Sequence, residues 1–241
     1  MRELRSLCDR RRAFCQEAAG TMQQNRRMNP LVTQTLSTAQ TIIEIAATAA
    51  FALSGVIEAA RKRLDAVGIA VVAFLAAFGG GTLRDILLDR RPFFWVANQW
   101  YVWALLGLCG GAMLMLRARH FRVTERAMQW PDALGLGLFA ASGTQIALDA
   151  QMPGLIAVLM GVMTAVFGGV LRDIVCNEIP SAFRDHRPYA VCAFLGGWVV
   201  VVIDRVAQMP VLALTAGGLL ATILRLLALR FEWTLPRWRV E

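Results

Sequence analysis

An all-α integral membrane protein is the fold class this sequence predicts: seven transmembrane helices, arranged as two inverted three-helix repeats plus a seventh helix. Three observations carry the prediction. The first is the segregation of charge. Of 241 residues, 57% are hydrophobic and 17% charged, against about 45–50% and about 25% in soluble domains. Uncharged runs cover 66–83, 92–116, 133–148, 150–171, 188–203 and 206–224, and another, 31–57, is interrupted only by Glu44. Runs of about 17–25 apolar residues cross a bilayer as helices. A short run alone also suits a buried soluble helix; so many in one chain do not. The second observation is an internal repeat at a constant offset of 88 residues. It pairs Glu44 with Asp132, Phe51 with Phe139, Ser54-Gly55 with Ser142-Gly143, Gly80 with Gly168, Arg84-Asp85 with Arg172-Asp173, and Pro92 with Pro180. The third is parity. Each repeat holds three runs, and an odd number of spans reverses the direction of the second copy relative to the first. Inverted repeats build many transport proteins, with the permeant path near the repeat interface.

Taken in order, residues 1–30 form a basic extension with Arg2, Arg5, Arg10, Arg11, Arg12, Arg26 and Arg27, and without the apolar core of a signal peptide. It is expected to be disordered. The membrane domain is expected over 31–230, with repeat 1 about 36–117, repeat 2 about 130–205 and the last helix about 209–230. A short tail, 231–241, follows. Predicted helix 1 covers about 36–59 and ends at the cluster Arg61-Lys62-Arg63. Helix 2 covers about 66–88 and contains Gly79-Gly80-Gly81-Thr82. Helix 3 covers about 95–116 behind Trp95, Trp100, Tyr101 and Trp103, which read as an interface belt. Helix 4 covers about 131–149, its first turn marked by Pro131 and Asp132. Helix 5 covers about 153–176 and contains Gly168-Gly169. Helix 6 covers about 188–204, where Gly196-Gly197 answers Gly110-Gly111 of helix 3 after a two-residue deletion. Helix 7 covers about 209–230 and stands outside the repeat.

The loop arginines and lysines orient the chain. Arg61, Lys62, Arg63, Arg117, Arg119, Arg122, Arg126, Arg184, Arg187, Arg230, Arg237 and Arg239 share one side, against Arg90, Arg91 and Arg205 on the other. The positive-inside rule places the larger group in the cytoplasm. The expectation is a multi-pass protein of the bacterial inner membrane, N-terminus outside and C-terminus cytoplasmic. The basic arm contradicts that orientation, and a start at Met28 removes the conflict, so the extension is read as artefactual or of little relevance. The same flank accounts for the net charge of +8. The lipid bilayer is therefore the expected partner, and nucleic acid is not.

No metal-ligand spacing, phosphate loop or nucleophile motif is present, and neither an enzyme nor a cofactor is expected. The chemistry lies in the doubled motif. Glycines let membrane helices pack closely. Three in succession at Gly79, Gly80 and Gly81 also permit a kink or an unwound turn, tolerable at membrane depth only beside protein or a watery cavity. For Gly168 and Gly169 the same two readings stand. An isolated basic residue near the centre of a membrane helix costs about 2.5–3.5 kcal/mol on insertion scales. The pairs Arg84-Asp85 and Arg172-Asp173 thus read either as interfacial ion pairs at helix ends or as groups lining the two mouths of an hourglass path. Glu44 and Asp132 read as helix N-terminal charges or as partners of those arginines. Ser54, Ser142 and Thr82 read as packing residues or as oxygens offered to a permeant cation.

Phe-Ala-Leu-Ser-Gly at 51–55, the stretch Gly79 to Ile86 and its second copy resemble the prokaryotic trimeric intracellular cation channel family, whose sequence domain is also labelled a glycine-transporter domain. The likeness covers about 40–230. It implies seven helices per subunit, a homotrimer, a pore inside each protomer, and helices 2 and 5 broken at their glycines. It also implies passive permeation of potassium and sodium. A secondary transporter of a small solute such as glycine, using the same architecture, is the alternative. The second copy carries Gly168-Gly169-Val170 where the first has Gly79-Gly80-Gly81-Thr82, which implies a tighter break. The animal members' Lys-Glu-Val signature is replaced nearby by Leu-Arg-Asp, so their lipid regulation is not carried over.

Overall fold

Helices account for nearly all of the described chain, because every apolar run must satisfy its own backbone hydrogen bonds where water is absent. The structure is a computed structural model that describes residues 30–118, 125–184 and 188–234. The basic arm, Arg119, Arg122, Arg187, Arg237 and Arg239, with the expectations placed on them, lie outside the described residues. The chain divides into two compact units, Met1–Ala39 and Gln40–Glu241. In the first, the described residues are helical from Pro30, and Thr38 Oγ1 donates to the Gln34 carbonyl at 2.9 Å. All that follows concerns the second.

The helices are α1 (Pro30–Arg61), α2 (Ala66–Leu87), α3 (Phe94–Ala97), α4 (Trp100–Ala118), α5 (Glu125–Asp149), α6 (Gly154–Val175), α7 (Ser181–Arg184), α8 (Ala190–Val206) and α9 (Pro210–Arg230). Among the described residues, four segments are long and apolar enough to cross a membrane: Gln34–Arg61, Ala66–Leu87, Gly154–Val175 and Pro210–Arg230. Besides the earlier start of α1 and the short α7, two elements differ from the sequence expectation. The third predicted helix is split into α3 and α4 at Asn98, an extended residue with φ −131° and ψ 81°. The split follows from a tether, since the Phe94 N–H donates to Asp85 Oδ2 at 3.2 Å and holds α3 against the end of α2. It also turns Trp95 and Tyr101 inward, leaving Trp100 and Trp103 exposed as a belt would require. The fourth predicted helix begins earlier, at Glu125, which puts Pro131 inside α5 rather than in its first turn. Proline there removes a single rung of the hydrogen-bond ladder.

The repeat is visible in how helices stop. At the end of α2, Asp89 N donates to the Ile86 carbonyl and Arg90 N to the Asp85 carbonyl; at the end of α6, Asn177 N and Glu178 N do the same to Ile174 and Asp173. These are Schellman caps, each with a left-handed residue, Asp89 at φ 50° and Asn177 at φ 57°. Arg63 (φ 58°) and Gln151 (φ 63°) cap α1 and α5 by the same pattern. All four lie in pairs 88 residues apart. A left-handed residue with a side chain costs about 1–2 kcal/mol, and least for Asn and Asp. Gln151→Gly is therefore expected to stabilise the folded protein by about 1 kcal/mol. Thermal melting of detergent-purified protein checks this, and an unchanged or lowered midpoint would count against it.

Two buried clusters sit either side of a central crossing. One gathers Ala52, Val56, Val72, Ala73, Phe78, Tyr101 and Leu105; the other gathers Phe51, Leu136, Phe139, Ala140, Ala165, Tyr189 and Ala193. Phe51 and Phe139 stack on each other, with ring centroids 5.6 Å apart and planes 19° from parallel. Repeat-equivalent residues that touch one another lie on the pseudo-two-fold axis relating the halves. α2 and α6 cross at the same centre. A methyl group on Gly80 would collide with the Thr164 carbonyl oxygen, and one on Gly168 with the Ala76 carbonyl oxygen. α9 packs on α8 and α5, where Gly196 and Gly217 each back onto the other's carbonyl oxygen.

Candidate functional site

Two charged clusters flank this crossing, one from each repeat. In the first, Arg84 Nη1 donates to Glu44 Oε1 at 2.7 Å and Nε to Asp85 Oδ1 at 2.9 Å. In the second, Arg172 Nη1 donates to Asp132 Oδ1 at 2.6 Å and Nε to Asp173 Oδ1 at 2.8 Å. Both arginines lie within the last turn of their helices, where a cation meets the carbonyl end of the helix dipole. Both are buried, at 1% and 0% exposure. A buried guanidinium requires a carboxylate with good geometry, because removing either ion from water costs several kcal/mol. Nη2 of each arginine also lies 2.8 Å from the neighbouring aspartate, outside hydrogen-bonding geometry.

The two aspartates have a second task. Asp85 Oδ2 accepts from the Phe94 N–H, and Asp173 Oδ2 accepts from the Ser181 N–H at 2.8 Å. Each carboxylate therefore clamps an arginine on one side and opens a short helix, α3 or α7, on the other. The Arg84 guanidinium also faces the Phe94 ring at 5.8 Å.

The clusters are not identical. Arg172 Nη1 donates to Ser54 Oγ at 2.9 Å, and Ser54 in turn donates to the Phe51 carbonyl. Ser54 belongs to α1, so the first repeat reaches into the second repeat's cluster. Its equivalent, Ser142, is fully buried with an unpartnered hydroxyl and makes no such contact with Arg84. Thr82 is half-buried and engaged locally: its Oγ1 donates to the Phe78 carbonyl at 2.7 Å and accepts from Trp95 Nε1 at 3.0 Å. Glu44 is the more open acid, its side chain 15% exposed against 4% for Asp132.

Among the site glycines, Gly79, Gly80, Gly81, Gly168 and Gly169 all lie inside continuous α-helix, and none adopts positive φ. No unwound turn is present at either motif in this structure. Their role here is close approach. Gly80 and Gly168 admit backbone, Gly81 admits the Phe94 ring, and Gly79 admits Leu171. Gly169 makes room for charge: Tyr189 Oη, Asp132 Oδ1 and Arg172 Nη2 lie 3.0, 3.5 and 3.8 Å from where its side chain would begin.

Sequence reasoning did not assign three members of these clusters to the site, and it read Tyr101 as part of the interface belt. Tyr101 and Tyr189 are the chain's only tyrosines and lie 88 residues apart, a signal present in the repeat itself. Both are buried. Arg225 on α9 is buried beneath Tyr189, its Cζ 4.6 Å from the ring centroid. It ends the uncharged run 206–224 and falls inside predicted helix 7, where the sequence reading gave it no role.

The family profile described as Glycine transporter matches residues 41–117 and again 129–205, the second match starting and ending 88 residues after the first. A UPF0126 membrane protein of Vibrio cholerae is 36% identical over 81% of this chain and 81% of its own length. The UPF0126 inner membrane protein YadS of Escherichia coli K12 is 35% identical over 83% of this chain and 96% of its own. Among solved structures, the trimeric intracellular cation channel orthologue from Rhodobacter sphaeroides superposes with a TM-score of 0.76 at 35% identity, covering 81% of this chain and all of that one. A second TRIC cation channel gives 0.72 at 33% identity, covering 83% and 98%. With both halves matched and the fold shared along four fifths of its length, the chain belongs to the glycine-transporter family of membrane proteins, the family that takes in the prokaryotic trimeric intracellular cation channels.

Proposed function

We propose that this protein conducts monovalent cations, potassium and sodium, passively through a path inside each protomer of a homotrimer. The observation that carries the reading is the pair of repeat-related, buried carboxylate–arginine clusters on either side of the α2–α6 crossing. The fold, shared with TRIC cation channels, supports a conducting role. Each cluster brings two carboxylates to one arginine, which leaves acceptor oxygens and carboxylate charge beside each end of the path. Asp85, Asp173, Glu44 and Asp132 supply that charge, while Arg84 and Arg172 hold it in place. The hydroxyls of Ser54, Ser142 and Thr82 are further oxygens near the route, and Ser142 has no competing partner.

On this reading α4, α5 and α8 join the four long apolar segments to give seven spans. α1–α2–α4 and α5–α6–α8 are the inverted repeats, and α9 is the seventh helix. The glycines of α2 and α6 are where those helices bend when the path opens. Loop charge supports a C-terminus in the cytoplasm and an N-terminus outside, in a bacterial inner membrane. The trimer rests on the likeness to channels described as trimeric.

Planar-bilayer recording of the purified protein tests the proposal, and the expected result is unitary potassium current. The family's description favours a second reading, secondary transport of a small solute such as glycine. Saturable glycine uptake into proteoliposomes, without unitary current, would replace the first reading by the second.

A further inference from the structure

Arg225 disturbs the charge symmetry of the two clusters. It projects from α9, which lies outside both repeats, so no residue mirrors it. It is 3% exposed, forms no salt bridge among the described residues, and its Nε and Nη1 have no hydrogen-bond partner. Its one close aromatic contact is the Tyr189 ring, and Tyr189 borders the same glycine notch as Asp132 and Arg172. A buried cation without a carboxylate is a costly thing for a fold to keep. It contributes no ion pair, and an uncharged side chain of similar volume would serve packing as well.

Its electrostatic effect is plain from the buried groups. The first cluster sets Arg84 against Glu44 and Asp85 and is left with one net negative charge. The second sets Arg172 against Asp132 and Asp173, and Arg225, 4.6 Å from the Tyr189 ring centroid, adds a second positive charge that makes this end neutral. Other nearby charges do not restore the balance. Glu58 pairs with Arg61 and Glu178 with Lys62, and Arg90 reaches Asp85 only at 4.0 Å from a half-exposed position where salt screens it.

We propose that Arg225 is the fixed charge that makes the two ends of the ion path unequal, so that cation current through this protein rectifies. The inference rests on the cation-channel reading above. One end concentrates cations and the other does not; removing the Arg225 charge gives both ends the same net charge.

The test is planar-bilayer recording in symmetric KCl of about 0.1 M, where screening leaves the field intact, and again at about 1 M, where it does not. Wild-type protein is expected to rectify at the lower salt. Arg225→Gln is expected to give a near-linear current–voltage relation, with current raised about twofold in the direction in which cations reach the second cluster first. Arg225→Lys is expected to keep the wild-type shape. The differences should fade at the higher salt, which a purely structural effect of the substitution would not do. A conducting wild type with a linear relation, or Arg225→Gln rectifying as wild type does, overturns the inference alone. No unitary current from wild-type protein overturns the channel reading and this inference with it. Failure of Arg225→Gln and Arg225→Met to fold while Arg225→Lys folds normally assigns the charge to stability and overturns the inference as well.

Discussion

Asp132→Ala is expected to destabilise the folded protein by about 3 kcal/mol, the lower end of the range for orphaning a buried ion. The reasoning starts from Arg172, which is fully buried and cannot recover water as a partner. Its Nη1 donates to Asp132 at 2.6 Å, and Asp173 and Ser54 are the groups left to hold it once Asp132 is gone. Arg225, close by through Tyr189, would then face Arg172 with one carboxylate fewer between them. The repeat provides an internal control. Glu44→Ala removes the equivalent acid from Arg84, but that side chain is 15% exposed against 4%, and no second buried cation stands near. Its cost is expected to be about half. Thermal melting of the two variants in the same detergent makes the comparison, and equal losses would show that the α9 arginine does not bear on the second cluster.

Gly80→Val and Gly168→Val are expected to fail at the stage of helix packing. The obstacle at each site is a carbonyl oxygen of the facing helix, Thr164 or Ala76, which has no rotamer by which to withdraw. Overpacked sites cost about 1–3 kcal/mol when side chains can adjust. A backbone obstacle puts these substitutions at or above the upper end. Alanine should already be harmful at both. Gly107, Gly110 and Gly111 of α4 meet nothing within 4 Å in the protomer, and alanine there should leave the monomer's stability unchanged or slightly raised by helix propensity. Yield of monodisperse protein on size-exclusion chromatography separates the two groups. If Gly80→Ala and Gly168→Ala behave like Gly107→Ala, the close crossing is not a constraint on folding.

The helical, membrane-spanning character of the chain was legible because charge exclusion is a property of composition and run length, which the sequence displays directly. The duplication was legible because eight positions recur at one offset, and the caps at Asp89 and Asn177 follow the same offset. Pairing of Glu44 with Arg84 is a different kind of fact. It depends on how α1 rotates against α2, which periodicity alone does not fix, and it was open between a helix-end charge and a partner. The split at Asn98 was not legible because its cause is a tertiary hydrogen bond that the Phe94 N–H donates to Asp85. Arg225 was missed because a lone arginine near the end of an apolar helix carries no mark of burial in the sequence. Its burial comes from α5 and α8 closing around α9. The triple glycine invited an unwound turn; in the structure the helix is continuous and the space of the missing side chains is taken by Leu171, the Thr164 carbonyl and the Phe94 ring.

The contact at the crossing has a bearing on where such a chain comes from. Gly80 rests on the residue four before Gly168, and Gly168 rests on the residue four before Gly80. That is the reciprocity of an isologous interface, in which a surface is complementary to itself under a two-fold rotation. A three-helix ancestor inserted in both orientations would have met an oppositely oriented copy of itself through this contact, with no residue yet differing between partners. Fusion into one chain would have released the two copies from identity, and Ser54 against Ser142 and Glu44 against Asp132 are among the places where they now differ in what they do.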